Sequence, residues 1–234
     1  MTTLLSVESE ETVWSGSVDK RIVVWSLKTL KPLRTLCVHA APVRCLSLGF
    51  QGILSGADDK LVILWTIDGL KAKKTLEVQH KVRALCAYEN DLWLSANESI
   101  VVYDWKTGMV RAMETAHPGG TSILAHLGNR VWSSGKDKRV LLWAKGGKFM
   151  HEQRQVMPFQ SNCFLWPDHS KSVIWCAAAN GDVILVDHQE TVHTDIIGHE
   201  KPATFVCAAQ SGQIWSGSLD GTIRIWSPSN EEVL

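Results

Sequence analysis

Hydrophobic positions in this chain fall in short runs, as in "VRCLSLGFQGILSGADDKLVILW" at 43–65, and the runs are broken by turns rich in Gly, Asp and Asn. Turn signals spaced about every 8–12 residues mark an all-β chain. No window sustains a 3.6-residue period, so the pattern predicts strands rather than helices. Tight polar segments ("SVDKR", "ADDKL", "SLDGT") separate pairs of apolar runs and predict hairpins.

The runs also repeat. "VWSGSVDKRIVVWS" at 13–26 and "IWSGSLDGTIRIWS" at 214–227 share eight of fourteen positions. Aligned on that phrase, six segments emerge: "VWSGSVDKRIVVW", "ILSGADDKLVILW", "LWLSANESIVVY", "VWSSGKDKRVLLW", "IWCAAANGDVILV" and "IWSGSLDGTIRIW". Their second residues are Trp14, Leu54, Trp93, Trp132, Trp175 and Trp215, separated by 40, 39, 39, 43 and 40 residues. The closing residue (Trp25, Trp65, Tyr103, Trp143, Val186, Trp226) follows its anchor by 11 residues in five copies and by 10 in the third. Each unit predicts four antiparallel strands, a to d. Strands b and c form the hairpin, a more polar d follows ("LKPLRTL", "LKAKKTL"), and a loop that often holds histidine leads to the next a.

A four-stranded unit of about 40–45 residues with these signatures resembles the WD-repeat (WD40) family. The resemblance covers essentially the whole chain. It implies an all-β β-propeller of six four-stranded antiparallel blades, in a single domain at 1–234 with approximate blades 1–36, 37–77, 78–115, 116–157, 158–197 and 198–234. The end, "SPSNEEVL", leaves the last blade without most of its outer strand. Either six blades close as a ring with the first and last in contact, Val233-Leu234 starting a vestigial strand, or the sequence is a piece of a seven-bladed ring. Nine of the eleven tryptophans fall on b or c strands, where they are expected to fill the space between blades; Trp105 and Trp166 have no such place.

Three repeats carry a polar set at matched spacing: His39, Ser55, Asp59 and Trp65; His117, Ser133, Asp137 and Trp143; His199, Ser216, Asp220 and Trp226. Seen once, Ser, His and Asp would suggest a hydrolase triad. A triad needs one nucleophile, an oxyanion hole and a pocket, and nothing singles out one copy. The resemblance implies instead the structural hydrogen-bond tetrad of WD repeats. A tight b–c turn leaves orphan backbone donors, and an aspartate there can accept from them and from an imidazole. Ser17 and Ser218, two residues on, are alternative serines. The first repeat has Ser15, Asp19 and Trp25 but no histidine. The third has His80, Leu94, Glu98 and Tyr103, and the fifth has Gln160, Cys176, Asn180 and Val186. These last two blades are expected to be the less rigid.

Composition narrows the chemistry. Lys plus Arg equals Asp plus Glu at 24 each, so no global field favours nucleic acid. Six cysteines (Cys37, Cys45, Cys86, Cys163, Cys176, Cys207) form no CxxC pair, and Cys45, Cys86 and Cys207 lie in apolar segments as small core residues. That suits a reducing, cytoplasmic location, where the sequon Asn97-Glu98-Ser99 is chance. No signal-peptide pattern opens the chain, no apolar run is long enough for a membrane span, and no HExxH or zinc spacing occurs. The glycine pairs Gly119-Gly120 and Gly146-Gly147 precede no helix, so no phosphate loop is expected. "KAKK" at 71–74 and "KDKR" at 136–139 are candidate patches for phosphoinositide or an acidic partner, although lysine on an outer strand also blocks edge pairing.

The expectation is therefore a non-catalytic scaffold for protein or peptide partners, with no cofactor, metal, small-molecule substrate, nucleic acid or membrane insertion. The resemblance places binding on the face built by the d–a loops and b–c turns. The residues preceding each turn aspartate position (Val18, Asp58, Asn97, Lys136, Ala179, Leu219) and those beyond the histidine loops (Pro42, Lys81, Pro202) are the candidate contacts. The alternative is a propeller module of a larger signalling enzyme. The Trp-rich repeats look similar to WD regions fused to inositol polyphosphate phosphatases.

Overall fold

The computed structural model describes residues 1–69, 71–127, 130–143, 151–155, 161–165, 173–187, 192–196, 198–208 and 213–227. Gln160, Trp166, Gly146-Gly147 and Val233-Leu234 lie outside them. Within them the chain is strand throughout, with a single 3-10 turn at Glu8–Glu10. The first sheet holds β1 (Thr3–Val7), β2 (Thr12–Gly16), β3 (Ile22–Ser26) and β4 (Pro32–Leu36). The second holds β5 (Val43–Gly49), β6 (Gly52–Ala57), β7 (Leu61–Trp65) and β8 (Ala72–Glu77). The third holds β9 (Leu85–Tyr88), β10 (Asp91–Ala96), β11 (Ser99–Asp104) and β12 (Val110–Thr115). The fourth holds β13 (Thr121–Leu127), β14 (Arg130–Gly135), β15 (Val140–Trp143) and β16 (His151–Gln155). The fifth holds β17 (Ser161–Leu165), β18 (Val173–Ala178), β19 (Val183–Asp187) and β20 (Val192–Ile196). The sixth holds β21 (Ala203–Ala208), β22 (Ile214–Ser218) and β23 (Ile223–Trp226). Five sheets are thus complete at four strands and the sixth has three among the described residues. The recorded strand pairs are antiparallel between chain neighbours, as short turns require.

The middle strands bury both faces. All six residues of β6, "GILSGA", are buried, and alternate side chains serve opposite neighbours. Ile53, with Ile63 and Trp65, joins Val7, Trp14, Ile22 and Val24 of the first sheet. Leu54, with Val62 and Leu64, joins Leu85, Leu92, Val101 and Tyr103 of the third. A rule follows. The b-strand anchor of one sheet shares a cluster with the c-strand closing residue of the next: Trp14 with Trp65, Leu54 with Tyr103, Trp132 with Val186, Trp175 with Trp226. The tryptophan-rich repeat is therefore a volume code for stacking sheets, and truncating such a ring to alanine costs about 3–5 kcal/mol.

Two core assignments need correction. Trp25 was expected to be core but is 37% exposed. It lines an apolar recess of about 300 Å³ with Met1, Leu4, Val13, Leu27 and Leu30 among the described residues. Cys207 is exposed on β21, whereas Cys86 and Cys176 are buried. The described residues fall into two compact units, the first Met1–His126 and the second those after His126.

Candidate functional site

The b–c turns are built alike. In the first, Lys20 N–H closes onto Ser17 C=O; in the second, Lys60 onto Ala57; in the fourth, Lys138 onto Gly135; in the fifth and sixth, Gly181 onto Ala178 and Gly221 onto Ser218. Each closing residue takes a positive φ: 73°, 66°, 60°, 103° and 86°. In the third turn, one residue shorter, Asn97 takes the positive φ, at 56°. Three lysines thus hold a conformation that costs L-residues roughly 1–2 kcal/mol. Only at Gly181 is glycine sterically required, because a Cβ there would meet the His199 carbonyl oxygen at 2.2 Å.

The residue before the closing position anchors the turn through its side chain. Asp19, Asp59, Asp137, Asn180 and Asp220 each accept, on Oδ1, the amide of the residue two ahead, at 3.1, 3.0, 3.3, 3.2 and 2.8 Å. This is the Asx-turn arrangement. Turn carbonyls are also stitched to the loop entering the next repeat: Ser17 accepts from Val43, Ala57 from Val82, Asn97 from Thr121 and Gly181 from His199.

Behind the second turn lies a closed polar chain. Trp65 Nε1–H donates to Ser55 Oγ at 2.9 Å, His39 Nε2 lies 2.8 Å from the same Oγ, and His39 Nδ1 lies 2.9 Å from Asp59 Oδ2. A carboxylate only accepts, so His39 Nδ1 carries the proton that it donates to Asp59. Asp59 Oδ2 also accepts the Ala40 amide at 2.9 Å. The sixth sheet repeats this: Trp226 to Ser216 at 2.9 Å, Ser216 to His199 at 2.8 Å, and His199 Nδ1 to Asp220 Oδ2 at 3.2 Å and to Thr222 Oγ1 at 3.0 Å. Hydrogen bonds from the Thr222 hydroxyl and amide hold the Asp220 carboxyl well below its ordinary range. In the fourth sheet Trp143 donates to Ser133 at 2.9 Å, and His117 and Ser133 are fully buried. The first keeps the shorter pair, Trp25 to Ser15 at 2.8 Å. Ser17 and Ser218 instead accept turn amides of Asp19 and Asp220.

These chains have a triad's connectivity but not its exposure. Ser55, Ser133 and Ser216 have no exposed surface, and each takes an indole N–H on the oxygen that would attack. A nucleophile needs an open position and an adjacent oxyanion hole. Here the hydroxyls face inward and are spent on architecture.

The candidate contact residues divide by exposure. Val18, Lys81, Asn97, Lys136 and Leu219 are exposed; Pro42, Asp58, Ala179 and Pro202 are half-buried. Asp58 and Leu219 donate their amides to the carbonyls of Pro42 and Pro202, tying turn to loop. Asp58 does not project freely: Arg44 Nε and Nη2 clasp its Oδ2 at 2.9 and 2.5 Å. The Arg44 hydrogen bonds draw the Asp58 carboxyl below its usual range against the opposing effect of burial. Arg44 was invisible as a site residue in the sequence, because its partner is set by strand pairing rather than by spacing along the chain.

"KAKK" is largely occupied. Lys73 Nζ donates to the Gln51 carbonyl at 3.0 Å, and Lys74 Nζ donates to the Trp105 carbonyl and sits 4.5 Å from the Trp105 ring. Trp105, without a place in the repeat, stacks on Phe50 at 4.5 Å with planes 2° apart. Phe50 and Gln51 both hold positive φ, at 50° and 57°, in the β5–β6 turn, so the stack offsets backbone strain. Among the described residues no group of His, Cys, Asp and Glu could hold a metal ion, and no helix is long and apolar enough to cross a membrane.

Comparison with known proteins follows the same lines. The family model "WD domain, G-beta repeat" matches residues 30–66 and 189–227. A probable serine/threonine-protein kinase of Dictyostelium discoideum, pats1, is 22% identical over 94% of this chain and 7% of its own length. An uncharacterized WD repeat-containing protein of Schizosaccharomyces pombe is 24% identical over 94% of this chain and 53% of its own. The chain thus spans about half or less of these relatives. A chain in the crystal structure of a mitotic checkpoint complex superposes with a TM-score of 0.82 at 16% identity, covering 96% of this chain and 73% of that one. The computationally designed Ika8 protein superposes with a TM-score of 0.73 at 26% identity, covering 99% and 72%.

Proposed function

We propose that this chain, which belongs to the WD-repeat β-propeller family, is a non-catalytic scaffold that binds protein or peptide partners on its turn and loop face, each sheet serving as one of six blades in a single domain. The observation that carries this reading is the inward use of the Ser/His/Asp sets. Their hydroxyls and imidazoles are buried and bonded to one another, so they stiffen the loops and leave exposed side chains such as Val18, Lys81, Asn97, Lys136 and Leu219 to meet partners. Function on such a fold is argued from that surface. A cytoplasmic location belongs to the same proposal, supported by Cys37, Cys45, Cys86 and Cys207, which form no disulfide among the described residues.

Pull-down from lysate with mass spectrometry tests it. Val18→Glu, Lys136→Glu and Leu219→Glu should each strip partners that the exposed controls Lys31→Glu and Arg34→Glu, just before and on β4, retain. Partners kept by all three turn variants would remove this face from function. A second reading, that the chain is a module within a longer signalling enzyme, is favoured by the kinase relative, which it matches along 94% of its own length. Transcripts encoding a contiguous catalytic domain would decide for it.

A further inference from the structure

On the turn and loop face of the first unit, three cations gather around one carboxylate. Arg44, on β5, is held against Asp58 through Nε and Nη2, with its side chain still 35% exposed. Lys81 and Arg83 approach β9 in a segment where exposure alternates: Lys81 and Arg83 are exposed, Val82 and Ala84 buried. The alternation sets both cations outward on the same side. Val82, between them, donates its amide to the carbonyl of Ala57 at 3.1 Å, which sets the segment beside the adjoining Asp58, and both cations draw that carboxyl down, yet neither has a hydrogen-bonded or ion-paired side-chain partner among the described residues. Asp58 can neutralise only one of the three. Its second oxygen is buried without a partner, so it works as the fixed anchor of Arg44 rather than as a contact. Asp59 next to it is committed to His39, and Lys60 adds a further exposed positive charge.

We infer that Arg44, Lys81 and Arg83 form a docking site for an acidic, Asp/Glu-rich segment of a partner protein. The inference rests on the docking face proposed above and adds the chemistry of its partner. Guanidinium forks match planar carboxylates, and Asp58 already shows how one seats against Arg44. The chain's formal net charge is zero, so the attraction is local, and raised salt should weaken it as exposed charges are screened.

The test uses the full chain and a fluorescein-labelled glutamate-rich peptide, with its glutamine counterpart as the uncharged probe, read by fluorescence anisotropy. The glutamate probe alone should bind. Lys81→Glu with Arg83→Glu should weaken it by about tenfold or more, while the exposed controls Lys31→Glu and Arg34→Glu stay within about twofold. Circular dichroism confirms that each variant is folded, and Lys81→Gln with Arg83→Gln should give an intermediate loss. No binding of the glutamate probe, or an equal loss from the controls, overturns the inference. Binding to phosphatidylserine vesicles in place of the peptide, abolished by the same pair, also overturns it in favour of a membrane surface. The lysate experiment separates the two readings. Partners that survive Lys81→Glu with Arg83→Glu but are lost on Val18→Glu would sink the acidic segment and leave the scaffold standing.

Discussion

The second and third sheets stack in one unit and descend from the same repeat, yet their turn regions are held together differently. In the second, His39, Ser55, Asp59 and Trp65 form a continuous hydrogen-bonded chain with the serine fully buried. In the third, Leu94 and Tyr103 replace the serine and tryptophan, and Glu98 is redirected to the Gly119 amide at 2.8 Å. His80 is only half-buried. It lines a void of about 10 Å³ with Val82, Leu94, Ala96, Val101 and Tyr103. That is about the space of a single water, in walls too apolar to hold one well. Two solutions serve one fold: a His-Ser-Asp-Trp chain in the second sheet, and in the third a largely apolar filling beside Ser95, whose Oγ accepts the Ala84 amide at 2.8 Å; the apolar filling is expected to hold its loop the less firmly.

The largest difference should appear on removing the histidines. His39→Ala strands Ser55, Asp59 and a cavity, and should cost about 2–4 kcal/mol. His80→Ala removes a ring with no hydrogen-bonded partner among the described residues and should cost less than about 1 kcal/mol. Urea denaturation of the two variants measures this, and comparable losses would erase the distinction.

The turn residues give a smaller contrast of opposite sign. Lys60 and Asn97 hold the positive φ of the two turns, at 66° and 56°. Asn tolerates that region and Lys does not, so Lys60→Gly should stabilise by about 0.5–1 kcal/mol and Asn97→Gly by close to nothing. Thermal midpoints of the pair read it.

The smallest effect expected is electrostatic. In the third sheet Asp91 lies 3.2 Å from Arg111, but burial pushes its carboxyl up, more than Arg111 draws it down. In the second sheet Asp58 is lowered. A group raised in the folded state binds more protons there than in the unfolded chain, so Asp91 opposes stability at neutral pH, and that penalty disappears as pH falls through its raised pKa. Asp58 does the reverse. Its stabilisation is present above the unfolded pKa and is lost as pH falls through its lowered folded value. Asp91→Asn should therefore raise the thermal midpoint at neutral pH, with the gain vanishing on acidification. A gain independent of pH would point to packing instead.

Much of this was legible in the sequence, since period and residue type together encode both hairpin and stacking. Trp14, Trp65, Trp175 and Trp226 could be placed because a strand's parity fixes which neighbour each ring meets. The Ser/His/Asp spacing likewise reflects a turn of fixed length. Arg44 with Asp58, and Phe50 with Trp105 and Lys74, could not be read ahead, because these partners lie across strands or on adjacent sheets. The exposure of Trp25 escaped the pattern for another reason: the repeat specifies what a blade face needs, not whether a neighbour covers it.

The central claim is that the Ser-His-Asp-Trp chains are architecture that makes some blades stiffer than others. Amide hydrogen exchange on the intact chain tests it most directly. The β6–β7 hairpin, with its closed polar chain, should be protected well beyond the β10–β11 hairpin, and His39→Ala should bring the first down to the second. Equal protection in the unmodified chain, or a β6–β7 hairpin indifferent to His39→Ala, would contradict the account.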